Sequence, residues 1–267
     1  MMMEPKPEFL GRQCATSFED ASVAESYRYR PTFPPQTFEI INGLIRDEPR
    51  RVLDAGCGTG ALARYLVHIA ESVDAVDASQ AMIDQGKNLR DGKHPHLNWI
   101  VGRMEEVPLI GPYSLITAGN SLHWMDWAVV MPLFGKLLSP NGVLVIVESA
   151  SSPPPWQGAL LDIFRRYSTN QGFQPFDLRD ELVRRGLFSE QGRMQTNRVL
   201  FKQPVEDYIE SFHARSSFSR QRMKPEDASA FDQAVRELVR GYEPSTVHLE
   251  IYADLYWGRP HGKEKQG

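Results

Sequence analysis

Apolar positions along this chain switch repeatedly between short continuous runs and helical spacing. Phe38, Ile41, Leu44 and Ile45 recur three and four apart, which predicts a helix over 35–48. Arg51 to Asp54 is a short apolar run ending in an acid, read as a buried strand. After a glycine-rich break, 61–70 returns to helical spacing. Further strands are predicted at 72–77, 97–101, 113–118 and 143–148. Helices are predicted over 78–89 and 127–138, the second interrupted or delayed by Pro132, with a turn at Asn141-Gly142. Strand and helix alternate throughout, which calls for a mostly parallel sheet covered on both faces by helices.

The flanks read differently. Residues 1–15 have no periodic pattern and are expected to be disordered. Residues 16–31, with Ala21, Val23 and Ala24 among polar groups, predict a short helix stopped by Pro31, Pro34 and Pro35. Past residue 150 the rhythm breaks at Pro153-Pro154-Pro155. The stretch 158–240 reads as mainly helical with one strand-like run at 198–201, and 246–257 alternates like a final, exposed edge strand. The expectation is an α/β fold with a seven-stranded, mostly parallel sheet plus an inserted helical cap on the substrate side. The chain divides into an arm or lid (1–35), a core (36–150), a cap with a sheet strand (151–245) and a final strand with its tail (246–267).

Composition narrows the partners. A chain of 267 residues with 41% hydrophobic positions is long enough for one large core domain carrying a cap. Its net charge of -4 argues against nucleic acid, which requires a clustered basic excess. The pairs Arg165-Arg166 and Arg184-Arg185 lie beside apolar residues at helical spacing and read as solvated helix faces. No apolar run is long enough to span a bilayer, and Met1 to Gly11 has no secretory pattern. Two cysteines, Cys14 and Cys57, are expected to stay unpaired in a reducing compartment. No His/Cys cluster has metal-ligand spacing. The expected picture is a cytoplasmic protein, monomeric or homodimeric, with a small-molecule partner.

The candidate chemistry begins where the first strand ends. Asp54, Gly56, Gly58 and Gly60 lie between a predicted strand and a predicted helix, the setting of a nucleotide-binding turn. Glycine accepts positive φ and lets a ligand approach the backbone, and the following helix start offers free N–H groups. Asp77 closes the next strand. It is placed to accept from both hydroxyls of a ribose, or else Asp77 or Ser79 caps the next helix. The spacing is Gly-x-Gly-x-Gly rather than the dinucleotide pattern. An acid directly before it repels a pyrophosphate and suits a cationic amino acid such as the one in S-adenosylmethionine.

Val52-Leu53-Asp54-Ala55-Gly56-Cys57-Gly58-Thr59-Gly60 resembles the first motif of class I S-adenosylmethionine-dependent methyltransferases. The resemblance implies a Rossmann-like sheet, S-adenosylmethionine as methyl donor and S-adenosylhomocysteine as product. It assigns Gly56, Cys57, Gly58 and Gly60 to the methionine end, Asp77 to the ribose, and Ala78 and Met82 to the adenine. The segment from Val101 to Leu109 resembles the stretch that edges the adenine, and contributes Arg103, Met104 and Glu105. Many members carry an Asp where this chain has Arg103, so Glu105 or backbone takes that role. The segment from Ile116 to Trp127 is similar to one subgroup, which includes trans-aconitate methyltransferase. This assigns Asn120 and Ser121 to the cofactor site, with Ser114 at a usual Asp. Tyr27-Arg28-Tyr29-Arg30-Pro31 is similar to the same subgroup, in which the segment folds over the cofactor. Tyr27 and Arg30 are therefore cofactor candidates. Arg30 is open to a carboxylate or to a surface ion pair.

His123 follows the fourth strand, where open α/β sheets bind ligands. It is the catalytic candidate, either as a base or as a positioning group. Trp124 walls a substrate pocket or packs in the core. Tyr29, His213 and Arg215 are further substrate candidates, with Arg220 near them in the cap. The implied function is methyl transfer to O, N or a carboxylate of a small molecule, either a small acid or a secondary metabolite. Two rivals are a nicotinamide-dependent oxidoreductase, disfavoured by Asp54 and the loop spacing, and a non-catalytic S-adenosylmethionine-binding protein.

Overall fold

The structure is a computed structural model that describes residues 21–172 and 176–261. Cys14, the expected disorder at 1–15, the start of the helix at 16–31 and the end of the tail lie outside the described residues. Eight strands form one sheet: β1 (Arg51–Ala55), β2 (Ser72–Asp77), β3 (Leu97–Val101), β4 (Tyr113–Gly119), β5 (Leu138–Ser151), β6 (Phe188–Gln195), β7 (Val199–Pro204) and β8 (Thr246–Pro260). Their order is β3-β2-β1-β4-β5-β8-β6, with β7 also paired to β8. The first five strands run parallel, and β8 is antiparallel to β5, β6 and β7. The expected Rossmann-like α/β sheet is present, with one strand more than the seven anticipated.

Helices cover both faces, since strands buried on two sides need two apolar layers. One layer packs α2 (Pro35–Leu44) and α3 (Ala63–Leu66) through Phe38, Ile41 and Leu66 onto Val52, Val73 and Val145. The other packs α5 (Trp127–Leu137) and α7 (Leu178–Arg184) through Val130, Phe134 and Leu182 onto Leu53, Ile116 and Ile146. Pro132 lies inside α5 and does not end it, and the Asp126 side chain caps the start by accepting from Ala128 N at 3.0 Å. The helix expected over 61–70 is only four residues of α3 followed by turns. The remaining helix of this half is α4 (Gln80–Asn88).

Three corrections come from strand pairing. The register between β4 and β5 jumps from Tyr113↔Leu138 to Leu115↔Val143, so Asn141-Gly142 sits in a bulge within one long strand instead of a separating turn. The strand expected as an exposed edge, β8, lies inside the sheet between β5 and the β6–β7 edge. β6 was not anticipated, because its sequence, FSEQGRMQ, has no apolar alternation and its side chains are largely exposed. Backbone pairing with β8 holds it, and Trp257 packs against the bare face of Gly192.

The cap consists of α6 (Gln157–Tyr167), α8 (Val205–His213) and α9 (Pro225–Arg240). They share a core of their own, with Trp156, Leu160, Phe212, Phe231 and Val235 buried against Val247, Leu249 and Ile251 of β8. The arm, α1 (Ala21–Ser26) and a tight turn at Tyr27–Tyr29, packs on α4 and on α8, with Val23 and Ala24 buried against Met82. It therefore bridges the sheet's helices and the cap.

Candidate active site

The loop after β1 takes a conformation that its sequence makes possible. Gly56 and Gly58 have φ of 67° and 55°, a region that costs other residues of order 1–3 kcal/mol. A side chain on Gly56 would put its Cβ 2.6 Å from that of Ser121, so the backbones of β1 and β4 meet here without room for one. Gly58 opens on free space, with the nearest atom, Tyr27 Cε1, 3.9 Å from where a Cβ would be. Cys57 N donates to Val76 O at 2.9 Å and pins the loop to β2.

Two carboxylates bracket the loop. Asp77 Oδ2 accepts from Gly58 N at 2.7 Å and Oδ1 from Ser79 N at 2.8 Å. Ser79, not Asp77, caps α4, accepting from Met82 N at 3.2 Å. Burial raises the Asp77 pKa above the usual carboxylate range, opposed by those two backbone donors. A carboxylate has about four acceptor positions, so two remain for a ligand. Asp54 is almost completely buried under the loop. It accepts from the Thr117 hydroxyl at 2.8 Å and from Ala63 N at 3.1 Å. Burial pushes its pKa up to about 7, and the nearby Asp77 adds to this. Burial and the two carboxylates also raise the Cys57 thiol well above its ordinary range, which keeps it protonated.

Around this loop lies an open cavity. Twelve of the sequence candidates line it: Tyr27 from the arm, Gly56 and Gly58, Asp77, Ala78 and Met82, Arg103, Met104 and Glu105, and Asn120, Ser121 and Trp124. Arg103 lies 3.5 Å from Glu105 and 3.4 Å from Glu106, and Glu105 Oε1 also accepts from Asp126 N at 2.8 Å. Asn120 takes φ of 51°, with its side chain clamped to Ser149 by bonds of 2.8 and 2.9 Å. Ser121 Oγ donates to Ala55 O at 2.6 Å and ties β4 back to β1.

A smaller cavity continues from the first. Tyr27, Gly56, Gly119 and Asn120 belong to both, and here Asp54, Cys57 and Arg30 come together. Arg30 donates to the Tyr27 hydroxyl at 3.2 Å and lies over its ring. Arg30 and Ser149 in turn border a third cavity under the cap, which Arg215 lines.

Five candidates stand apart from these cavities. Gly60 turns away from them, and its bare face is filled by Trp99, whose ring tip would be 2.5 Å from a Cβ. Tyr29 accepts from Arg28 at 2.6 Å on the outer side of the arm. His213 is buried in the cap with Nδ1 on Phe218 O and Nε2 on Asp232, both at 2.7 Å, so it serves cap structure. Arg220 pairs there with Glu210 and Asp232. His123 is half-buried with its ring 4.6 Å from that of Trp124, and it does not line the cavity around the β1 loop. Sequence reasoning missed Thr117, Met125 and Gln203. Thr117 and Met125 sit in the segment already singled out after β4, but Gln203 carried no signal. Among the described residues no group of three His, Cys, Asp or Glu side chains is placed to hold a metal, and no helix is long and apolar enough to cross a membrane.

Residues 52–142, β1 to the β5 bulge, match the family model described as a methyltransferase domain. An uncharacterized methyltransferase of Mycobacterium tuberculosis is 34% identical over 137 residues, covering 51% of this chain and 53% of that protein. A malonyl-[acyl-carrier protein] O-methyltransferase of Halalkalibacterium halodurans is 35% identical over 108 residues, 38% of this chain and 39% of that one. The chain thus spans about half the length, or less, of these curated relatives. A provisionally assigned type II methyltransferase from Anaeromyxobacter dehalogenans shares the fold, with a TM-score of 0.62 and 22% identity over 87% of this chain and 99% of that one.

Proposed function

We propose that this chain is a class I S-adenosylmethionine-dependent methyltransferase acting on a small molecule. The observation that carries the reading is the joined pair of cavities over the β1 loop. One has a carboxylate with acceptor positions to spare, and the other brings together a buried acid, Asp54, and Arg30. Such a set suits a ligand with a ribose at one end and an amino acid at the other. When bound, S-adenosylmethionine supplies an electrophilic methyl group on a sulfonium.

The chain's own residues divide the remaining work. Asp77 accepts from the ribose hydroxyls with the lone pairs its backbone donors leave open. Ala78, Met82 and Met104 flank the adenine, with Arg103 and Glu105 at its edge. Asp54 takes the ammonium and Arg30 the carboxylate. Tyr27 closes the site from the arm and, with Trp124, keeps water from the reacting centre. His123 positions the acceptor region through its contact with Trp124 and is not the base. His123→Ala is accordingly expected to lower kcat less than tenfold, whereas loss of a general base typically costs about 100-fold or more; a larger fall reverses the assignment.

The acceptor enters from the cap side, where the second and third cavities meet. The subgroup similarity of the segment from Ile116 to Trp127 and of the arm supports a trans-aconitate methyltransferase-like member. The net charge of -4 favours a small-molecule over a nucleic-acid substrate, and we place the enzyme in the cytoplasm. Calorimetric titration of the purified chain with S-adenosylmethionine, S-adenosylhomocysteine and NAD tests the cofactor. Binding of the first two and not of NAD is expected, and binding of NAD alone refutes the proposal.

A further inference from the structure

The third cavity, about 210 Å³, lies between the carboxyl end of β5 and the cap. Its wall is mixed, with Leu160, Phe164, Phe212 and Ile251 forming an apolar part beside polar side chains such as Thr32 and Gln157. Against that wall stand two polar groups with nothing to bind. The Arg215 side chain makes no hydrogen bond or ion pair among the described residues; its guanidinium carbon lies 5.0 Å from the Phe212 ring centre and 5.6 Å from that of Phe164. Arg215 is an exposed residue whose side chain lines this cavity. Gln203 is 5% exposed, and its side-chain Nε2 has no acceptor.

Both groups are donors. No acidic side chain lines this cavity, and the nearest neighbouring charge is a second cation, Arg30, at its border with the cofactor site. Burial and that cation pull the Arg215 pKa down to about 10, which leaves it charged at neutral pH. An unpaired charge held among aromatic rings is costly unless an anion arrives to pair with it.

We propose that the cap cavity binds a monocarboxylic acid with an apolar or aromatic body, its carboxylate on Arg215 and Gln203 and its body against Leu160, Phe164 and Ile251. One unpaired guanidinium balances one negative charge. A phosphate dianion would call for a second cation, and Arg30 is turned to the Tyr27 hydroxyl at 3.2 Å. As a statement about the methyl acceptor, this rests on the methyl-transfer reading; as a statement about an anion site, it does not.

The test titrates 4-phenylbutyrate, indole-3-butyrate and the two corresponding primary amides into the full chain, with and without S-adenosylhomocysteine, by calorimetry. The acids are expected to bind at least about tenfold more tightly than their amides, as a charge-assisted guanidinium pair should. Arg215→Met is expected to erase that preference while leaving S-adenosylhomocysteine affinity within about twofold. Equal binding of acid and amide, no binding of either acid at about 10 mM, or a preference that survives Arg215→Met overturns the proposal. The acid-over-amide comparison in the unmodified protein decides the matter even if the variant does not fold. A chain that prefers the acids but binds no S-adenosylhomocysteine sinks the methyl-transfer reading and keeps the anion site. The opposite result does the reverse.

Discussion

The two chambers at the carboxyl end of the sheet are built on opposite terms. Around the β1 loop the polar groups are already engaged: Asp77 by two backbone N–H groups, Asp54 by Thr117 and Ala63, Asn120 by Ser149. Under the cap, the Arg215 side chain lines the cavity without a hydrogen-bonded partner, and the buried Gln203 Nε2 has no acceptor. The first chamber is preorganised by its own backbone, so its geometry barely depends on what enters. The second holds unspent donors, so it gains most from its ligand. A shape held in advance suits a cofactor common to every turnover, and unpaired donors suit the variable reactant.

The largest effect that could break this contrast is expected at Asp77. Asp77→Ala removes the carboxylate and frees the Gly58 N–H. S-adenosylmethionine affinity should fall about 100-fold or more, given about 1.5–3 kcal/mol for each hydrogen bond to a charged group. Calorimetry would read this, with 4-phenylbutyrate binding unchanged within about twofold. Next comes Gly56→Ala, which adds positive-φ strain and a clash with Ser121. Thermal unfolding should report a loss of about 1–3 kcal/mol, and cofactor affinity should drop about tenfold or more. Little change in either would mean that the loop is less preorganised than argued.

The third effect is a pH dependence. Asp54 has its folded pKa raised from the ordinary 3.8 to about 7 by burial, so without ligand it is mostly protonated in the folded chain below that pH. Because the unfolded chain releases this proton earlier, the group's contribution to stability falls as pH rises from its ordinary value to about 7, by at most about 1.4 kcal/mol per unit. A cationic amino group beside it reverses the preference and expels the proton. S-adenosylmethionine affinity should therefore rise as pH increases toward about 7 and flatten above it, by up to about tenfold per unit. Thr117→Val, which removes a bond that lowers the Asp54 pKa, should move that flattening to higher pH. A flat profile would separate Asp54 from the ammonium. The smallest effect sharpens the other side. Gln203→Met removes an unsatisfied buried donor and should leave the empty protein equally stable or more stable by up to about 1 kcal/mol in thermal unfolding. A marked loss would mean that Gln203 has a structural partner.

The contrast also explains what could be read in the sequence. The stretch from Val52 to Gly60 was legible because its demands are local: an apolar strand, then backbone angles that only glycine tolerates easily. Asp77 was legible because strand spacing fixes its distance from the loop. Gly60 was assigned to the ligand along with its neighbours, although its bare face admits Trp99, 39 positions away in the sequence. Thr117, the partner of Asp54, and Gln203, on a mostly exposed strand, depend on the fold to bring them near. β6 escaped notice because it is held by backbone pairing, which leaves no trace in side-chain hydrophobicity. β8 was placed at an edge for a related reason, since its alternation shows that alternate side chains are buried but not that both flanks of its backbone are paired.

β8 also bears on how ligands pass in and out. Its second half is woven between β5 and β6, and its first half pairs with β7 and carries the apolar floor of the cap. Cap and sheet are thus anchored to one continuous 15-residue strand. Swinging the cap away as a rigid door would strip a row of ladder hydrogen bonds, each worth about 1 kcal/mol net, and open a buried apolar seam as well. Among the described residues the arm has no strand pairing: it is the helix Ala21–Ser26 and one tight turn, held by Val23, Ala24 and Tyr27. Of the two walls, the arm is the less costly to displace, and the cap is the fixed one.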